Sequence, residues 1–215
     1  MLAGKAHIIE QLQKDLLKLA GIRPVAYDSN LPTGLGFLKE HFPHASFPIG
    51  AMHEFVCSGK ECIAATEGFV SALLSTLMNT HAMTVWITSS NTLFPSAFKS
   101  FGHDPDRIIF VQLQKEMDLL WAMEEALKCN GLAAVVCELT ELSFTSSRRF
   151  QLAVEQSAVT GFILRINPRK LTTTACATRW QISSLPSETT ELPGVGFPKW
   201  KVELLKVRNG KPDAW

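Results

Sequence analysis

Apolar residues recur at three- and four-residue steps through residues 5–20, where Ile8, Ile9, Leu12, Leu16 and Leu19 form one stripe and predict an amphipathic helix. Gly21 and Pro24 end it. Residues 24–34 are rich in Pro, Asn, Asp and Gly and read as a linker. Beyond them the pattern becomes an alternation. Short apolar runs predict strands at 51–56, 83–88, 107–112, 132–137 and 161–166. Amphipathic runs between them predict helices at 61–78, 94–101, 116–128 and 148–159. The run 132–137 has no polar alternation, as expected of a strand covered on both faces. Two further β-like runs, 177–183 and 200–207, have no helix between them and predict antiparallel strands at one sheet edge. The whole order predicts an α/β fold, a mostly parallel sheet with helices on both faces. The expected divisions are an N-terminal helical arm (1–24), a core domain (35–207) and a mobile C-terminal tail (208–215).

Composition supports one packed domain: 46% of the 215 residues are hydrophobic and 19% are charged. The net charge of +1 implies no global electrostatic grip on nucleic acid, although a basic face can sit within a neutral total. No apolar stretch approaches the roughly 20 residues that span a bilayer, and none near the N-terminus suits a signal peptide. The expectation is a cytoplasmic protein without membrane contact. Five cysteines (Cys57, Cys62, Cys129, Cys137 and Cys176) show no Cys-x-x-Cys pair or metal-ligand spacing, so no metal is expected.

The candidate chemistry lies where the first strand meets the first core helix, because ligands of open parallel sheets bind beyond the carboxyl ends of strands. There the chain reads Cys57-Ser58-Gly59-Lys60-Glu61-Cys62. A working phosphate loop sets four residues between two glycines, then Lys, then a hydroxyl for Mg²⁺. Here Ser58, Gly59 and Lys60 remain, the leading glycine is missing, and Glu61 takes the hydroxyl's place. The segment reads either as a damaged nucleotide site or as a tight strand–helix turn with an exposed lysine. ATP and Mg²⁺ are not expected as cofactors. Two basic pairs, Arg148-Arg149 and Arg169-Lys170, are candidate phosphate contacts or ordinary solvated positions. Lys206, Arg208, Lys211 and Trp215 near the C-terminus are candidate partner contacts.

Several strings resemble the RecA superfamily. Phe47-Pro48-Ile49-Gly50-Ala51-Met52-His53-Glu54 resembles the approach to its phosphate loop. Phe101-Gly102-His103-Asp104-Pro105-Asp106-Arg107 resembles a turn before its third strand, and Phe162-Ile163-Leu164-Arg165-Ile166-Asn167 the strand ending in its sensor residues. Residues 9–15, 47–55 and 200–211, in that order and spacing, are similar to the ImuA family, RecA-like accessories of bacterial damage-induced (SOS) mutagenesis. The resemblance implies a RecA-like fold and three partners: an ImuB-like Y-family polymerase relative, an error-prone replicative-type DNA polymerase, and RecA. It also implies a mobile loop at 167–176 that contacts single-stranded DNA weakly.

The departures point away from catalysis. Where RecA has its water-activating Glu, this chain has Thr88-Ser89-Ser90. The metal-binding Asp of the strand matched by 132–139 falls on Cys137, with Glu138 one residue on, and the second sensor residue on Pro168. The expected function is a non-catalytic scaffold in translesion synthesis. The alternatives are a divergent DNA-dependent ATPase using Lys60 and Glu138, and a cell-division inhibitor of the SulA type.

Overall fold

Strands β1 (Met52–Cys57), β4 (Leu132–Leu139) and β5 (Thr160–Ile166) are buried on both faces because helices cover both. The computed structural model describes residues 36, 40–42, 47–77, 82–90, 93–102, 104–187 and 196–215. The expected N-terminal helix and linker lie outside them. The remaining elements are α1 (Lys60–Leu77), β2 (Met83–Thr88), a 3-10 turn (Pro95–Phe101), β3 (Ile108–Gln112), α2 (Glu116–Leu127), α3 (Phe144–Ser157), β6 (Thr178–Leu185), β7 (Lys199–Val207) and β8 (Asp213–Ala214).

The strands form one sheet in the order β3-β2-β4-β5-β1-β6-β7-β8. β1 to β6 pair in parallel, while β7 and β8 are antiparallel to their neighbours. This is the α/β architecture expected, a mostly parallel sheet with an antiparallel edge, except that the first of the two runs expected as antiparallel strands, β6, joins β1 in parallel. Side-chain alternation divides the core in two. Phe55, Trp86, Val136, Phe162 and Trp180 face α1 and the 3-10 turn. Met52, Ile87, Val135, Cys137 and Ile163 face α2 and α3. Trp180 anchors the first layer, stacking on Phe55 at 6.0 Å between ring centres.

Two expectations need correction. The helix expected at 148–159 begins four residues earlier, since Ser143 caps it: Ser143 Oγ accepts from the Ser146 amide at 3.0 Å. Arg148 and Arg149 therefore sit in its second turn, away from the free amides of its first. The residues expected as a mobile tail instead fold back. Trp215 exchanges backbone hydrogen bonds of 2.8 Å with Val202, and its ring meets His41 edge-on at 4.7 Å. Shielding the edge of β7 and part of the aromatic core outweighs the polar character of Asn209-Gly210-Lys211-Pro212.

His53 joins this layer to the chain before β1. Its ring lies between Phe47 and Phe162, and Nε2 donates to the Pro48 carbonyl at 2.8 Å. Nδ1 must then accept from the Thr178 hydroxyl, also 2.8 Å away. Burial pushes the imidazole down from 6.5 to about 4. The unfolded chain thus binds the extra proton first. His53's contribution to stability is complete above pH 6.5 and is lost as pH falls toward 4, by about 3 kcal/mol in all. Ring nitrogen shifts followed by NMR are expected to report a neutral His53 at pH 5.5, when exposed histidines are already protonated.

Candidate functional site

Between the end of β1 and the start of α1 stand only Ser58 and Gly59, both exposed. Gly59 takes φ +80°, a left-handed conformation that turns the chain directly into the helix. Its amide donates to Asn167 Oδ1 at 2.9 Å, and the Asn167 amide donates to the Cys57 carbonyl at 2.8 Å. Asn167 itself is left-handed, at φ +49°. The side chain at the end of β5 therefore occupies the amide that a phosphate loop would turn toward its ligand. Ser58, Gly59, Lys60 and Glu61 line an open cleft of about 670 Å³, together with Pro168 and Gln181.

Glu138 is elsewhere. It lines a second cavity, about 290 Å³, toward β2 and β4, with Glu67, Glu116, Ser89 and Ser90. Lys60 and Glu138 thus line different cavities. Glu138 Oε1 accepts from Trp86 Nε1 at 3.0 Å, and Oε2 from the Thr88 hydroxyl at 2.6 Å. Burial still raises its carboxyl above the usual carboxylate range. Glu67, on α1, is pushed up to about 7 by burial and then by the neighbouring charge of Glu138. Cys137, at the position matched to a metal-binding Asp, points to the opposite face and is fully buried.

A third constellation escaped the sequence. Glu54, on β1, is fully buried between two guanidinium groups: Arg165 Nη1 donates to its Oε1 at 3.1 Å and Arg179 Nε to its Oε2 at 2.8 Å. Thr174 Oγ1 adds a hydrogen bond of 2.7 Å. Arg165 Nη2 reaches Glu141 and the Lys170 carbonyl, both at 3.0 Å, and Arg179 Nη2 donates to the Thr172 carbonyl. For Glu54 and Arg165 the only signal in the sequence was charge inside apolar runs; Arg179 sits in a run that alternates polar and apolar residues.

This network fastens down the segment where a mobile DNA-contacting loop was expected. Residues 174–177 are buried. The Ala175 amide donates to Ser147 Oγ, and Lys206 and Arg208 hold the carbonyls of residues 174–176 at 2.9–3.1 Å. Lys206 and Arg208, candidates for partner contact, are thus engaged within the chain, and burial lowers the Lys206 ammonium below its ordinary range. Arg149 pairs with Glu124 at 2.6 Å and Arg148 with Gln151 at 2.8 Å. Arg169, Lys170 and Lys211 are exposed, whereas Trp215 is half-buried. Among the described residues no group of three or more His, Cys, Asp or Glu suits a metal ion. No helix among them is long and apolar enough to cross a membrane.

Removing Glu54 strands two buried cations. Glu54→Ala is expected to lower the unfolding free energy by about 3–5 kcal/mol, measured by urea denaturation. Lys60→Ala, at an exposed helix start, is expected to change it by less than about 0.5 kcal/mol. Glu67→Gln removes a charge that burial opposes. The variant is expected to be more stable than the parent at pH 8, with most of the difference gone at pH 4.5, because the folded parent's carboxyl is protonated there and the unfolded chain's is half protonated. Paired urea titrations at both pH values check the sign.

No protein-family model matches the chain. Among solved structures, SulA from Pseudomonas aeruginosa matches 53% of this chain and 98% of its own, at 18% identity and a TM-score of 0.45. The protein ImuA of Caulobacter vibrioides, from strain NA1000 and from strain ATCC 19089, is 32% identical over 187 residues, covering 81% of this chain and 77% of its own. That identity over most of both chains is enough to assign the family: the chain belongs to the ImuA family.

Proposed function

We propose that this protein is a non-catalytic RecA-like accessory of damage-induced (SOS) mutagenesis, acting in translesion synthesis through protein partners rather than by nucleotide turnover. The observation that carries the reading is the closed β1–α1 turn. Two residues are too few to wrap a phosphate chain, and the one amide they turn inward already serves Asn167. Glu61 adds negative charge beside that turn. The 88–90 stretch offers hydroxyls and no carboxylate to activate water, and Glu138 is held in a different cavity by Trp86 and Thr88. Loss of one preorganised transition-state group costs about 10²–10³ in rate, so several losses together leave little. Membership of the family supports the biological setting. Its partners would be an ImuB-like Y-family polymerase relative, an error-prone replicative-type polymerase and RecA, met in the cytoplasm. Any hold on single-stranded DNA would rest on the exposed Arg169 and Lys170 and be weak.

Purified protein is expected to release no phosphate from ATP above background, with or without single-stranded DNA. Turnover near that of RecA, abolished by Lys60→Ala, overturns the non-catalytic part. Deleting the gene is expected to lower mutation frequency after ultraviolet exposure while leaving undamaged growth unchanged. Equal frequencies in deletion and parent sink the biological part.

A further inference from the structure

The face of α1 that turns away from the closed loop borders a groove that neither the fold nor the loop explains. One wall is made of small groups one helical turn apart, Ala64, Gly68 and Ser71. The other is the 3-10 turn and its approach, with Phe94, Phe98 and Phe101. Gly68 is what lets the walls close at the base. A Cβ there would stand 3.0 Å from Trp200 Cζ2 and 3.2 Å from Phe101 Cζ. Phe98 is buried beneath, but Phe94 at the rim is 70% exposed. The groove encloses about 200 Å³, room for one or two apolar side chains.

At one end the groove turns acidic. Glu67 lines both the groove and the cavity that holds Glu138 and Glu116. Among the described residues no Lys, Arg or His lines either space. Glu138 is fixed by its indole and hydroxyl donors, and Glu116 accepts from the Glu141 amide at 3.1 Å. Glu67 makes no side-chain hydrogen bond or ion pair with a described residue. Burial and the charge of Glu138 hold its carboxyl near neutrality, the state of an acid that lacks its cation.

We infer that this groove is a docking site for a segment of a partner protein that carries an arginine or lysine within one helical turn of apolar anchors. The anchors would fill the space between Phe94 and Gly68, and the cation would enter between Glu67 and Glu138. Charge complementarity selects this occupant over an uncharged one. An apolar segment alone leaves two carboxylates facing each other, while a cation converts that repulsion into attraction. Arginine suits the place better than lysine, because a planar fork reaches two carboxylates at once and sheds water more easily. The inference rests on the reading that the chain works through partners, and adds to it a surface and a chemistry.

The test uses the full chain and a fluorescein-labelled, helix-favouring peptide with arginine four residues from a Leu-Phe pair. Control peptides carry glutamate for the arginine, or serines for the Leu-Phe pair. Anisotropy and NMR shift mapping follow binding up to millimolar peptide. The arginine peptide is expected to bind about tenfold or more tighter than either control. Its shifts should centre on Phe94 and Glu67. Ala97→Arg, which fills the groove, is expected to abolish binding, and Phe94→Ala to weaken it about tenfold. The isosteric Glu67→Gln should erase the preference for arginine over glutamate while the protein stays folded by circular dichroism. Equal binding of the charge-swapped peptides overturns the proposal, as does an absence of shifts at millimolar peptide. A self-association of the chain abolished by Ala97→Arg assigns the groove to a second copy and also overturns it. ATP turnover with peptide binding intact would sink the non-catalytic reading and leave this surface standing.

Discussion

A carboxylate in the middle of a two-sided strand is the constraint on which much of this structure depends. Glu54 has no access to water, so its charge must be met inside the protein. Arg165 and Arg179 meet it from the two strands that flank β1. Each guanidinium has more N–H groups than one carboxylate absorbs, and the surplus donors reach the carbonyls of residues 170 and 172. The chain after β5 is thereby drawn over the sheet. Lys206 and Arg208 complete the attachment from β7 and just beyond it. One buried charge thus sets the path of some ten residues that carry little apolar surface of their own.

That path has a chemical consequence at its first residue. Asn167 leaves β5 in a left-handed conformation and presents Oδ1 to Gly59. The shortened β1–α1 turn and the fastened segment thus hold each other. The turn departs from a phosphate loop through two cooperating features rather than through the loss of a single glycine.

The order of elements was legible because it rests on hydrophobic periodicity, which burial on both faces of a sheet imposes directly. All seven expected runs are found within two residues of their expected ends, and Met83–Thr88 matches at both, although the run expected at 177–183 pairs in parallel with β1. The start of α3 was misplaced because Ser143, Ser146 and Ser147 are chemically alike, and only backbone conformation decides which one caps. The C-terminal segment was misread because its composition suits a turn, and it is indeed a turn, but one that returns Trp215 to an aromatic core assembled from residues far apart in sequence. Ser58, Gly59 and Lys60 were recognisable from local spacing. The separation of Glu138 from Lys60 was not, since it depends on how α1 lies across the strand ends. Glu54 and Arg165 were visible only as charges in apolar runs and Arg179 as a polar position in an alternating one, and their pairing is set by strand order.

Under the non-catalytic reading, the same geometry implies that point substitution alone would not build a phosphate loop here. Placing a glycine before Ser58 and a threonine at position 61 supplies the expected residue types but adds no length to a two-residue turn. The amide of Gly59 would still face Asn167, and replacing Asn167 would free that amide without creating the others that converge on a phosphate. Lengthening the turn would move the start of α1, whose small residues at 64, 68 and 71 are fitted to Trp200, Phe101 and the 3-10 turn. The β1–α1 turn and the apolar groove thus both depend on one placement of α1.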